Sequence, residues 1–98
     1  MSPDTATVTL VTAPGCHFCD DARQVLDAMA DAGAPLRIDV VEATSPAGRD
    51  LLATHRPAMN PLVLVDDAWF SAGRLPRRKL EALLARRGAT STEEVRRG

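Results

Sequence analysis

The sequence predicts one α/β domain with the element order β-α-β-α-β-β-α and a mixed four-stranded sheet flanked by helices. Segments of strand period alternate with segments of helical period. The last two apolar runs are separated only by Asp66-Asp67, a gap that fits a hairpin. With 98 residues, 45% hydrophobic and 26% charged, the chain suits one core and not two. At this length folding removes roughly two-thirds of the unfolded chain's surface from water, so no metal or disulfide framework is needed to staple it. The domain is expected over residues 1–88, with 89–98 a polar, flexible tail.

The elements follow in order. Val8 to Thr12, within Thr-Val-Thr-Leu-Val-Thr, alternates β-branched and apolar residues as a strand does, and Ala13-Pro14-Gly15 breaks it. From Cys16 the spacing turns helical, with Phe18, Ala22, Val25, Leu26 and Met29 on one face and Gly33 placed to end the helix. Leu36 to Val41 reads as a strand, Leu36, Ile38 and Val40 facing one way and Arg37 and Asp39 the other. Ser45-Pro46 is an N-cap followed by proline at the first helical position. Leu51 and Leu52 give that short helix its apolar face, and His55, Arg56 and Pro57 close it. Leu62-Val63-Leu64-Val65 follows Pro61 and is apolar at every residue, which marks a central strand covered on both faces. Asp66-Asp67 turns the chain into the edge strand at Trp69-Phe70, with weaker hairpin chemistry than Asp-Gly. Gly73 stands at a tight bend, and Pro76 opens a last helix with the stripe Leu80, Leu83 and Leu84, ending at Arg86, Arg87 and Gly88. Ser91 and Glu94 have capping-box spacing but little to bury. The first β-α-β implies a parallel strand pair, the hairpin an antiparallel one.

Charge and hydropathy exclude several classes. The net charge of −1 conceals an asymmetry: residues 1–73 carry ten acids against four arginines, whereas residues 74–98 carry eight bases against three acids. The basic segment could attract phosphates or anionic thiols, or simply form a solvated helix face. Nucleic acid is not an expected partner, because Phe18, Trp69 and Phe70 are the only aromatic residues on which bases could stack. The longest unbroken apolar run is Leu62–Val65, far below the ~20 residues of a membrane span, and Met1–Ala6 lacks the features of an export signal. A soluble, cytoplasmic protein is expected.

Cys16 and Cys19 are the only cysteines. Their spacing places both at the first turn of the helix after the first strand, within disulfide reach. A loop so short gains only about 2 kcal/mol from closure, so stapling is a poor reason for the pair. At the helix start, unpaired N–H groups and the macrodipole favour thiolate over thiol. Cys16, nearer that end, is the expected nucleophile. Cys19 is placed to attack a mixed disulfide formed at Cys16. Asp20 and Asp21 complement the helix start yet disfavour a nearby thiolate, and His17 is either a cationic neighbour or a solvated residue. A zinc site would need four ligands, and only His17 and His55 are at hand to join the cysteines, so no metal is expected there. An iron-sulfur cluster shared by two chains is a looser alternative.

The stretch Ala13-Pro14-Gly15-Cys16-His17-Phe18-Cys19 after a strand, with Asn60-Pro61 opening a later strand 45 residues past Cys16 and a glycine bend at Gly73, resembles the glutaredoxin branch of the thioredoxin-fold family. The resemblance covers about residues 7 to 87. It implies a thioredoxin-like, glutaredoxin-type fold and a dithiol-disulfide oxidoreductase with Cys16 and Cys19 catalytic. It further implies a cis Asn60-Pro61 bond opposite the dithiol, with Pro57 the competing candidate, and a substrate site at Pro14, Gly15, His17, Phe18, Asn60, Pro61, Gly73 and Arg74. No bound organic cofactor is expected, the partners are disulfide-containing proteins or low-molecular-weight thiols, and the chain is expected to be a monomer. Two departures bear on the electron source. Thr12, Ala13 and Pro14 stand where the family commonly has a basic residue, and Ala72-Gly73-Arg74 where it has Gly-Gly and an acid. Arg74, Arg77 and Arg78 would favour an anionic group instead, leaving glutathione, mycothiol and a thioredoxin reductase system as alternatives. Two other functions use the same fold: an iron-sulfur or metal-binding module built on the cysteines, and an adaptor docking through its basic last helix.

Overall fold

The computed structural model describes residues 5–86. Within them lie β1 (Ala6–Thr12), α1 (His17–Asp31), β2 (Leu36–Glu42), α2 (Pro46–His55), β3 (Leu62–Val65) and β4 (Ala68–Ala72), followed by a third helix, α3, over residues 77–86. The order is the one expected. The expected tail, the domain limit at residue 88, the helix end at Arg87 and Gly88 and the Ser91/Glu94 pair lie outside the described residues.

The strands form one sheet in the order β2-β1-β3-β4. β1 and β2 are parallel, from Ala6 opposite Leu36 to Thr12 opposite Glu42. β3 runs antiparallel to β1, with Val8 opposite Val65 and Val11 opposite Leu62, and β4 returns antiparallel to β3. β3 is thus interior, and its unbroken apolar run is explained by burial on both faces. On one face Val8, Leu10, Val63 and Val65 meet Ala22, Leu26 and Met29 of α1 and Leu80 and Leu84 of α3. On the other, Val11, Leu62 and Leu64 meet Leu51 and Leu52 of α2. Each fully buried leucine is worth about 1.5–3 kcal/mol, so the strand alternation of β1 and β3 recruits the helices to opposite faces.

The element ends show why the chain turns where it does. At the end of α1 the Gly33 N–H donates to Ala30 O at 3.0 Å and the Ala34 N–H to Met29 O at 2.9 Å. With Gly33 at φ +95°, this is a Schellman termination. α2 starts on Ser45, whose Oγ accepts the Gly48 N–H at 3.0 Å, and stops at Arg56 in the left-handed region, φ 46°. In the β3–β4 turn Asp66 and Asp67 both have positive φ, 50° and 68°, as a type I′ hairpin demands. The Asp66 carboxylate accepts the Thr7 N–H at 2.9 Å and its own N–H donates to Thr7 O at 2.8 Å, which ties the hairpin tip to β1. A bulge between Val63 and Leu64 sets Leu64 opposite Trp69 but Val63 opposite Ser71, so Phe70 is the extra residue and is buried in the core.

Three expectations need correction. Phe18 does not join the buried stripe of α1 but is 43% exposed, and Val40 is 39% exposed. The buried stripe runs through Cys19, Ala22, Leu26 and Met29, because Cys16 stands at the N-cap and sets the helix phase so that position 19, not 18, faces the sheet. Val40 lies on an edge strand with a neighbour on one side only. Pro76 precedes the helical residues instead of being the first of them. Its carbonyl accepts the Leu80 N–H at 3.1 Å, which is the part of a cap.

Candidate active site

Three chain crossings meet at one end of the sheet. Val11 near the end of β1 pairs with Leu62 at the start of β3, and Leu62 pairs with Ala72 at the end of β4. The loop to Cys16, the Asn60-Pro61 step and the Gly73 bend therefore all leave from this end. The last two are joined directly, the Gly73 N–H donating to Pro61 O at 3.0 Å. Asn60-Pro61 is the cis bond, and Pro57 is not. Gly73 has φ +93°, and a Cβ there would come within 3.3 Å of the Met59 Cβ and Sδ. Its glycine is required by backbone conformation and by the methionine packed over it.

The dithiol loop is built on Gly15 at φ +71°, which turns the chain from β1 into the helix. Cys16 is the N-cap of α1, in extended conformation. Its Sγ accepts the Cys19 N–H at 3.1 Å, one of the orphan donors of a helix start. The Cys16 carbonyl accepts the Asp20 N–H at 3.3 Å. Cys16 and Cys19 are joined as a disulfide with Cα atoms 5.2 Å apart. The two cysteines differ in access: Cys16 is half-buried, while Cys19 heads the buried stripe and is 3% exposed. An N–H aimed at Sγ stabilises negative charge on it once the bond is reduced, so the less buried of the two cysteines is also the one whose sulfur receives a helix-start N–H.

Around this pair Pro14, Gly15, His17, Phe18, Asn60 and Arg74 are exposed, whereas Pro61 and Gly73 are buried. The expected substrate-binding residues thus fall at one end of the sheet, in the dithiol loop and the two crossings beside it. Two features were missed in the sequence. Met59, 52% exposed, adds a thioether beside Gly73, although its place before Asn60-Pro61 could have signalled it. A cleft of about 300 Å³ between Thr12, Ala13 and Pro14 and the Glu42 and Thr44 side opens next to the dithiol loop. Arg77 is ion-paired within α3, its Nε 3.1 Å from the Glu81 carboxylate, so part of the basic charge expected near the groove is offset locally. Among the described residues no group of three or more His, Cys, Asp or Glu side chains is arranged to hold a metal ion.

No family model and no curated protein matches the chain, but solved structures do. An uncharacterised thioredoxin-like protein from Clostridium perfringens superposes with a TM-score of 0.67 at 13% identity, covering 89% of this chain and 74% of that one. Chloroplastic thioredoxin z gives a TM-score of 0.65 at 17% identity over 89% and 81% of the two chains. Thioredoxin-2, a component of the malaria parasite's protein secretion machinery, gives 0.62 at 15% identity over 84% and 82%. At such identities the likeness concerns architecture, and with the strand order β2-β1-β3-β4 and helices on both faces of the sheet, the chain has a thioredoxin-like fold.

Proposed function

We propose that the protein is a small thiol-disulfide oxidoreductase of glutaredoxin-like type, acting in the cytoplasm as a monomer on protein or mixed disulfides. The observation that carries the reading is the asymmetry of the dithiol: Cys16 is half-buried at a helix N-cap with an N–H on its sulfur, and Cys19 is 3% exposed yet bonded to it. In the reduced protein the Cys16 thiolate attacks one sulfur of a substrate disulfide, forming a Cys16–substrate bond and releasing the other sulfur as a thiolate that takes a proton from solvent. Cys19 then loses its proton and attacks the Cys16 sulfur. The second substrate thiolate leaves, and the protein is left with the Cys16–Cys19 disulfide. Substrate has gained two electrons and the dithiol has lost two. The apolar, exposed Phe18 and Met59 and the Asn60-Pro61 step would flank the bound substrate.

Two equivalents of a low-molecular-weight thiol, or one dithiol reductant, would restore the reduced state. The candidate sources are glutathione, mycothiol and a thioredoxin reductase system, and Arg74 and Arg78, in place of an acidic motif, favour a reductant bearing carboxylates, as glutathione does and the uncharged mycothiol does not. Turnover of a mixed-disulfide substrate with each reductant supplied separately tests the proposal. Catalysis with at least one of them, abolished by Cys16→Ser, supports it. Absence of turnover with all three contradicts it.

A further inference from the structure

A groove lies away from the cysteines. It has a volume of about 480 Å³ and opens between β4 and α3, inside the range of roughly 300–1,000 Å³ that small-molecule sites occupy. Phe70 and Leu83 line it, with Trp69 at its side and Lys79, Arg86 and Asp66 also on its walls. Trp69 is 53% exposed on an edge strand, a large amphipathic ring left in water where a partner would cover it. The Lys79 Nζ sits 5.5 Å above the Phe70 ring, which holds that cation at the groove. The Asp66 carboxylate is engaged by the Thr7 N–H at 2.9 Å. Two cations therefore face one committed carboxylate across an apolar floor.

We propose that this groove is a second binding site, for a small anionic amphiphile: an aromatic or aliphatic body that covers Phe70 and Leu83 beside the edge-strand residue Trp69, with a carboxylate or sulfonate held by Lys79 and Arg86. The site is remote from the dithiol. Pro61 directly precedes β3 and Val65 ends it, which sets them roughly 14 Å apart at a rise of ~3.4 Å per residue. Ligand here leaves the dithiol end of the sheet open, and the inference stands apart from the proposed redox reaction.

The sequence has one tryptophan and no tyrosine, so intrinsic emission reports on Trp69 alone. The test titrates full-length protein with 1-anilinonaphthalene-8-sulfonate and, separately, with the uncharged N-phenyl-1-naphthylamine, at low salt. Expected are saturable, one-to-one quenching of Trp69 by the anionic probe and weakening of that binding by about tenfold in Lys79→Gln/Arg86→Gln, with affinity for the uncharged probe unchanged. Amide shift perturbations on the parent protein should fall on residues 65–70 and 79–86, a readout that does not depend on the variant folding. Quenching without saturation, equal affinity of parent and variant for the anionic probe, or shifts centred on Cys16–Cys19, Met59 and Gly73 would overturn the proposal.

Discussion

Gly48→Ala should be among the most damaging single-methyl additions in this protein. Gly48 is a buried position of α2, and an exposed helical Gly→Ala change ordinarily stabilises by about 1 kcal/mol. Here a Cβ would collide with the Glu42 carbonyl oxygen and lie 2.8 Å from the Glu42 carbonyl carbon and 2.9 Å from the Ala43 Cα. All three are backbone atoms, so no side chain can rotate away. The same carbonyl accepts the Ser45 hydroxyl at 2.7 Å and the Ser45 N–H at 3.0 Å, so displacing it loosens the cap of α2. Overpacking against backbone costs about 3 kcal/mol, the upper part of its usual range, and a weakened cap about 1 kcal/mol more. Set against the propensity gain, the net loss is about 3 kcal/mol. For a domain of this size that lowers Tm by about 12–24 °C. Thermal unfolding followed by far-ultraviolet circular dichroism measures it, with Ala47→Gly at the exposed neighbouring position as a control expected to cost only about 1 kcal/mol. A Gly48→Ala variant as stable as the parent, or less affected than the control, would refute the close approach of α2 to the end of β2. The effect should also reach the dithiol loop, since the Ala43 N–H donates to Thr12 O at 2.7 Å and Thr12 leads into Ala13-Pro14-Gly15-Cys16.

Other substitutions probe different parts of the fold. Asp67→Gly should raise stability by about 0.5–1 kcal/mol, because Asp67 holds φ 68° at no cost to glycine and its neighbour Asp66 keeps the bond to Thr7; urea unfolding with an unchanged m value is the check. Ser45→Ala should cost about 1 kcal/mol through loss of the hydroxyl that accepts the Gly48 N–H at 3.0 Å, read by the same method. Ser71→Ala should be neutral or stabilising by up to about 1 kcal/mol, since the buried Ser71 Oγ has no hydrogen-bond partner among the described residues and its removal leaves nothing unpaired; a loss of more than about 1 kcal/mol in chemical denaturation would show that the hydroxyl is satisfied after all.

Much of the architecture was legible because local pattern and tertiary need coincide. Leu62–Val65 reads as interior from its lack of a polar face, and β3 is flanked on both sides. Gly33, Ser45-Pro46 and Asp66-Asp67 mark turns through conformations or caps that those residues supply, and each turn is where the sequence puts it. The dithiol stood out by spacing and by its place between strand and helix. What escaped depends on distant parts of the chain. Helical periodicity alone admits Phe18 or Cys19 as the head of the buried stripe, and the choice is made by the cap at Cys16. Gly48 reads as a weak helix position, because the backbone it must clear belongs to Glu42 and Ala43. The bulge that turns Phe70 inward has no glycine to announce it. Leu75, buried next to a proline and outside any periodic stripe, carries no sequence signal of burial. The groove at Trp69 exists only once α3 folds back against β4, so neither segment reveals it by itself.

The central claim is the division of labour between the cysteines, which rests on Cys16 at the N-cap and Cys19 at 3% exposure. The direct measurement is intact-mass analysis of reduced Cys19→Ser and Cys16→Ser after incubation with a mixed-disulfide substrate at neutral pH, followed by peptide mapping. The account predicts a stable one-to-one adduct on Cys16 in Cys19→Ser and no adduct in Cys16→Ser. An adduct that accumulates on Cys19 in Cys16→Ser, with none on Cys16 in Cys19→Ser, would contradict it.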